Sequence, residues 1–593
     1  MGMEESKTGR SGRNEEKTVA VRGNAAREGM LRVLLLNFES GSYGYRMISA
    51  CLKESGFDVY NVFMGGHETK DGWKVSEAEV RSFDTLLGLI KPQMVGLSIL
   101  TLMDHPNAAR ITDFVKSKTG IPVVWGGVYP TLMPRYCLEN SAADYICIGE
   151  GEETVVDICN TLRNEEPADD IAGVMGRRNF SYARRKPVKN LDNLPIQDFG
   201  NEKAFCIREK GAIYEGDPLL NGFFMHGDGN YPTRASRGCP FQCTYCTIEA
   251  MKKLYDPGTY LRRRSVDGLM EELKRILAVK PELNYISFWD EIFPSRQEWI
   301  EEFSEKYRKH ISLPFSIFSS PFTINEKCIA SLVAAGLDAV YIGIQSASEK
   351  TRREVYGRTE TNETVFNNHR ILSAHKGLDI VYDFIIEHPW ESPTELEETF
   401  NMVMAFKKPF QIKIRGLILF PRTDLEKRAI QEGYMKEGEL ANDMVNDPAA
   451  FGRLFNWSKS IPLQKNIQRA FWLFLITCAV NGDIPENLLK YLAGANFLRN
   501  HPELLTGNLV MDMSTNAEFA SQLSSKFKSS RILKLLPFVG ASLDKAPTSG
   551  RTMKTYFYGY LFFRIVGNMP SVISKSVSNV FSGGDRGTPG RVD

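Results

Sequence analysis

From Leu31 onward the chain repeats one unit, a short apolar run followed by a stretch in which apolar positions recur every three or four residues. LRVLLLN leads into YRMISACLKESG, and DVYNVF, MVGLSIL, IPVVWGG and DYICIG follow, with helical patterns near Ala108 and from Glu153. Continuous apolar strands joined by amphipathic crossovers predict a doubly wound parallel sheet over residues 31–164. On such sheets ligands lie beyond the carboxyl ends of the strands.

Residues 165–230 are rich in turn formers and contain LDNLPIQDF, which reads as an ordered connector. A second alternation runs over 231–428, with strands TRASRG, LNYISF, FSIFSS, DAVYIGI, DIVYDFII and IKIRGLIL separated by helical patterns such as SVDGLMEELKRIL. Repeated βα units of this kind predict a parallel barrel, complete or partial, with its chemistry where strands end and loops begin. Strand signals then fade, and 429–576 reads as mostly helical. Residues 1–30 and 577–593 lack apolar periodicity and are expected to be disordered.

Composition narrows the class without changing this layout. The 593 residues, 42% hydrophobic and 24% charged, are those of an ordinary globular protein of several domains. The longest apolar run, AFWLFLITCAV, falls short of the roughly 18 residues needed to cross a bilayer. No secretory signal is evident, so the expected location is the cytoplasm, where ten cysteines serve ligation or catalysis rather than disulfides. A net charge of +1 argues against a nucleic-acid partner. The charge is uneven, however: residues 521–593 hold eleven Lys or Arg against three Asp. In that stretch KFKSSRILKLLPFV and KTYFYGYLFFRIV interleave basic and apolar residues, and they are expected to lie on the inner, anionic face of a membrane unless the aromatics pack as core.

The densest chemistry is RGCPFQCTYC, in which Cys239, Cys243 and Cys246 have the spacing C-x3-C-x2-C. Composition alone would produce that spacing with a frequency on the order of 0.3%. Two ligand sets remain open at this point. One is a structural zinc with a distant fourth ligand, and the other is a [4Fe-4S] cluster with one iron left open.

The trio, with Tyr245 before its last Cys, resembles the signature of the radical S-adenosylmethionine superfamily. That resemblance implies that S-adenosylmethionine fills the open iron and is cleaved there to a 5′-deoxyadenosyl radical, on a TIM-type barrel. It further implies that Asp290 and Glu291, in LNYISFWDEIF, hold the cosubstrate's ammonium, and that Gln345, where a Glu is common, lies near the ribose. Ser319, at the end of the third strand, would face the cosubstrate. FIIEHPWES resembles the segment after the fifth strand, with His388 a candidate for touching substrate or moving a proton.

The doubly wound domain ahead of the barrel resembles the Rossmann-like cobalamin-binding domain of cobalamin-dependent (class B) members of that family. Ser98 and Leu100 match its S-x-L, Gly126 and Gly127 its G-G pair, and Gly149 and Glu150 its last loop. Small residues there let a nucleotide tail thread close to the backbone. In the first loop, NFESGSYG, the resemblance implies cofactor contacts from Asn37, Glu39, Tyr43 and Gly44. Asn37 and Glu39 stand where a cobalt-ligating histidine motif would be, so the lower face of cobalt is expected to lack a histidine, and Asp104 and His105 do not have the spacing to replace it.

The resemblance therefore implies an enzyme using a [4Fe-4S] cluster, S-adenosylmethionine and cobalamin to methylate an unactivated carbon of a hydrophobic small molecule or lipid, with flavodoxin or ferredoxin as electron donor. An oxidative, ring-forming reaction of the anaerobic porphyrin-ester cyclase type is the alternative enzyme reading. Methylthiolation of transfer RNA ranks low, because it normally needs a second cysteine set near the N-terminus. A cobalamin-binding sensor or zinc-stabilised interaction protein is the non-enzyme alternative.

Overall fold

The computed structural model describes residues 30–38, 42–64, 67–69, 72–199, 202–218, 229–386 and 388–438, together with 472, 475–476, 479–480 and 486–494. Glu39, the expected leader and tail, and both basic and aromatic C-terminal segments lie outside the described residues. No helix among the described residues is long and apolar enough to cross a membrane. The chain divides into two compact units.

The first unit is built on β1 (Arg32–Asn37), β2 (Asp58–Met64), β3 (Met94–Ser98), β4 (Val123–Gly126) and β5 (Tyr145–Cys147), all parallel. Helices cover both faces. Tyr45, Leu52, Val155 and Ile158, from helices Tyr43–Glu54 and Glu152–Arg163, pack with Val33 and Leu35 on one side. On the other, Thr112 of helix His105–Thr119 accepts a 2.8 Å hydrogen bond from the buried Trp125 indole. Burial on both faces is why these strands read as unbroken apolar runs. Helix Glu77–Ile90 starts at a capping box, in which Ser76 Oγ accepts from Glu79 N at 3.2 Å and Glu79 accepts from Ser76 N at 2.6 Å.

The expected connector is a correction. Three of its segments, β6 (Val174–Gly176), β7 (Ala204–Ile207) and β8 (Ile213–Glu215), join the first sheet and extend it to eight strands, in the order β8-β7-β2-β1-β3-β4-β5-β6. The two margins, β6 and β8, run antiparallel to their neighbours. Strands of three or four residues set among turn formers leave no periodicity to read. Lys186–Asp192 instead groups with the second unit, where both Asp192 carboxylate oxygens accept from Ser265 N at 3.0 Å.

The second unit carries β9 (Asn230–Thr233), β10 (Tyr285–Phe288), β11 (Phe315–Ser319), β12 (Leu337–Gln345), β13 (Asp379–Ile385) and β14 (Gln411–Arg415) in one parallel sheet of sequential order. The described sheet does not pair β9 with β14, so the barrel is partial. Its first strand ends at Thr233, earlier than TRASRG suggests, because Ser236–Arg237 pairs antiparallel with Arg262–Arg263. One face of the sheet is deeply buried, with Ile286, Phe288, Ile317, Val340, Ile342 and Phe384 at 2% exposure or less. The opposite face is polar, and the register sets Ser287 beside Ser316, Phe318 beside Tyr341, and Gly343, Asp383 and Lys413 in one row.

Candidate functional site

Beyond β9 the chain turns sharply at Gly238, whose φ of +87° is left-handed and whose added Cβ would sit 2.6 Å from the Tyr260 carbonyl oxygen. The turn delivers Cys239, Cys243 and Cys246 onto one loop, which enters helix Thr247–Lys252. Nine described cysteines are free thiols, and only these three reach partial exposure while the other six are buried. Burial pushes the Cys239 thiol up to about 12 and raises Cys243 and Cys246 as well, so each is held neutral until a cation takes its proton's place.

A segment more than a hundred residues downstream grips this loop. Thr244 N donates to Tyr356 O at 3.1 Å, Thr244 Oγ1 donates to Val355 O at 2.5 Å, and Leu425 N donates to Thr244 O at 2.9 Å. Gly357, at φ +64°, lies so close that a Cβ would meet Thr244 Cγ2 at 3.0 Å. Next to it, Arg358 places Nη1 3.8 Å from Cys243 Sγ, donates through Nη2 to Gly343 O at 2.8 Å, and pairs through Nε with the buried Glu360 at 2.5 Å. The guanidinium thus pulls the Cys243 thiol toward its charged form against the effect of burial. Arg358, Glu360 and Gly357 were not singled out in the sequence, since only the fold brings them to the cysteines.

The acidic pair after β10 divides its work. Glu291 accepts from Gly238 N at 3.2 Å and pairs with Arg234, so it fixes the loop's entry. Asp290 is 2% exposed and accepts from Ala235 N at 3.1 Å and Ser236 Oγ at 2.5 Å. Burial nonetheless raises its carboxyl to about 7. Both oxygens of Asp290 accept from the chain, so it anchors the start of the cysteine loop. Gln345 ends β12 at φ +69° and lies over Gly343, where a Cβ would meet its Nε2, beside Arg358. Ser319 bonds Thr323 Oγ1 at 2.9 Å, closing the turn after β11.

Tyr245 stands edge-on to Tyr356 at 5.3 Å, and Tyr356 in turn to His388 at 5.5 Å. His388 is 1% exposed, with Nε2 3.8 Å from Glu395, whose carboxyl burial raises to about 7. His388, a candidate for touching substrate or moving a proton, lies behind Tyr356, one ring removed from the cysteine loop.

In the first unit, Asn37, Ser98 and Gly126 end adjacent strands and stand in register as one row at the carboxyl edge. Leu100 and Glu150 follow in the adjoining loops, and Tyr43 and Gly44 open the helix Tyr43–Glu54 that follows β1. Gly127 has φ +106° and its added Cβ would lie 2.4 Å from Ile99 O, while Gly149, at φ +84°, donates its N–H to Thr131 Oγ1 at 3.0 Å. This edge accepts close backbone approach and nothing bulkier. Gly127→Ala is therefore expected to destabilise the first unit by about 3 kcal/mol and to lower retained cobalamin, read by denaturant unfolding and by the corrin absorbance after gel filtration.

His105 lies among Trp125, Tyr129 and Tyr136, with Nε2 3.3 Å from Asn140 O and 0% exposure. It is a core residue. Burial lowers its pKa to about 4. Because the folded value lies below the unfolded one, its contribution is complete above the unfolded pKa and is lost as pH falls through the folded value. On the order of 3 kcal/mol should disappear between about pH 6.5 and 4, and His105→Phe should flatten that slope in thermal unfolding.

The donor sets fit the groups expected for them. Three accessible thiols on a short loop suit a cluster that binds one thiolate per iron. No three His, Cys, Asp or Glu side chains among the described residues are gathered as a site for one metal ion.

Comparison with known proteins agrees. The Radical SAM superfamily matches residues 233–403 and the B12 binding domain matches residues 33–159. An uncharacterized methyltransferase of Pyrococcus horikoshii is 27% identical over 410 residues, 67% of this chain and 83% of that protein. An anaerobic magnesium-protoporphyrin IX monomethyl ester cyclase of Synechocystis is 28% identical over 144 residues, 24% of this chain and 26% of that one. The solved structure of OxsB, a cobalamin-dependent S-adenosylmethionine radical enzyme with aqua-cobalamin and S-adenosylmethionine bound, shares the fold with a TM-score of 0.59 at 16% identity, over 91% of this chain and 84% of that chain.

Proposed function

Because this chain belongs to the cobalamin-dependent radical S-adenosylmethionine family, we propose that it methylates an unactivated carbon of a hydrophobic small molecule or lipid. It is an enzyme, and its cofactors are a [4Fe-4S] cluster, S-adenosylmethionine and cobalamin. Bound together, they supply one-electron cleavage of a sulfonium and a transferable methyl group.

The chain's own residues provide the rest. Cys239, Cys243 and Cys246 would hold the cluster, Gly238 and Glu291 set the angle at which their loop leaves the sheet, and Arg358 places positive charge on the Cys243 sulfur. Gln345 and Ser319 sit at the strand ends where the cosubstrate would lie. Asn37, Ser98, Gly126 and Gly127 would border the corrin's nucleotide tail. A small acidic redox protein such as flavodoxin or ferredoxin is the proposed electron donor.

The observation that carries the reading is the selective exposure of three cysteines on a loop held by Arg358 and Glu291. Methylation is favoured by the Pyrococcus methyltransferase, whose match spans most of both chains. Ring formation remains a second reading because of the cyclase match. Anaerobic incubation of reconstituted protein with labelled S-adenosylmethionine, reductant, cobalamin and lipid extracts separates them. Label in an organic product one methyl unit heavier supports methylation; an unlabelled product lighter by hydrogen, or heavier by oxygen, overturns it in favour of cyclisation.

A further inference from the structure

The polar face of the partial barrel holds charges that neither the cysteine loop nor the corrin edge uses. Asp383 on β13 and Lys413 on β14 are register partners, so their side chains leave the sheet on the same side, and Gly343 stands on the other flank of Asp383. The Gly343 carbonyl takes Arg358 Nη2, and Arg358 touches Cys243. The charged row therefore begins one strand away from the cysteine site.

Lys413 Nζ lies 4.4 Å from the centre of the Tyr341 ring, and its ammonium makes no hydrogen bond to any described residue. Desolvation lowers its pKa, with Asp383 opposing that from a distance. Arg415, two positions on and on the same face, reaches Asp383 at 3.7 Å. Two cations thus share one carboxylate, and burial raises that carboxyl's own pKa. Arg415 is mostly exposed, whereas Lys413 is half-buried and has no ion pair with any described residue, at a place where a counter-ion is worth more than in open water. Beside it, Phe318 and Tyr341 stack at 5.0 Å with 22° between their planes, forming a flat apolar floor.

We propose that Lys413 and Arg415 receive an oxyanion, a carboxylate or phosphate, carried by the substrate, while Phe318 and Tyr341 hold its apolar body. The substrate is then an amphiphile with an acidic end rather than a neutral hydrocarbon. This deepens the methylation reading and rests on it for the identity of the site, but its test is a binding measurement that methyl transfer does not enter.

The probes are 1-naphthoate, 1-naphthyl phosphate and the neutral 1-naphthylmethanol, titrated by fluorescence into full-length, reconstituted protein containing S-adenosylmethionine. At least one anionic probe is expected to bind about tenfold tighter than the alcohol, and the preferred anion identifies the group as carboxylate or phosphate. The doubly substituted K413M/R415Q protein should lose that preference while its affinity for S-adenosylmethionine stays within about twofold. Equal binding of all three probes to the unsubstituted protein overturns the proposal without recourse to any variant. So does a variant that retains the anion preference, or one whose loss falls on S-adenosylmethionine, because the cations would then serve the cosubstrate's own carboxylate.

Discussion

Cys243→Ala is expected to lower S-adenosylmethionine cleavage by more than about a hundredfold and to deplete the iron bound after anaerobic reconstitution. Cys243 is a partly exposed loop residue, so the fold should scarcely register the change, with unfolding shifted by less than about 1 kcal/mol. Catalysis and stability are therefore predicted to separate at this position. Iron and sulfide analysis, deoxyadenosine formation and denaturant unfolding on the same preparation test this, and unchanged cleavage in the variant would remove the cluster from the mechanism.

Arg358→Met should behave in the opposite way, injuring the fold and the chemistry together. Glu360 is 3% exposed and loses its ion-pair partner, which costs about 3–5 kcal/mol when a buried charge is left alone. Adding Glu360→Gln removes that lone charge and should recover at least about half of the loss. The chemistry should not recover, because neither variant restores a cation 3.8 Å from Cys243 Sγ. Without that charge the cluster is harder to reduce, so its midpoint potential should fall in both variants. Equal instability of single and double substitutions, with an unaltered potential, would show that Arg358 acts on neither Glu360 nor the thiolate.

The contrast between these two positions also marks what the sequence discloses. Three cysteines within eight positions are a local signal, and Glu291 follows a strand whose end can be read. Arg358 is 115 positions from Cys243, and nothing in its surroundings announces the contact. The strands β1 to β5 are legible because burial on both faces forces continuous apolar runs, whereas β6 to β8 are three or four residues long and extend the margins of a sheet whose core is already formed. The neighbourhood of His388 is harder to read: a histidine among aromatic and acidic residues looks like chemistry in one dimension, and its 1% exposure behind Tyr356 emerges only from the fold. The pairing of Lys413 with Asp383 required the register, because strand membership alone does not say which residues stand side by side.

Among the described residues β14 pairs with β13 alone, and an uncovered strand margin is a standing invitation to self-association. On β14 the outermost strand carries Lys413 and Arg415, and like charges meeting across a second copy would repel. The residues offered above to an acidic ligand thus also guard the protein's colloidal behaviour, so neutralising them should lower the concentration at which the protein begins to aggregate.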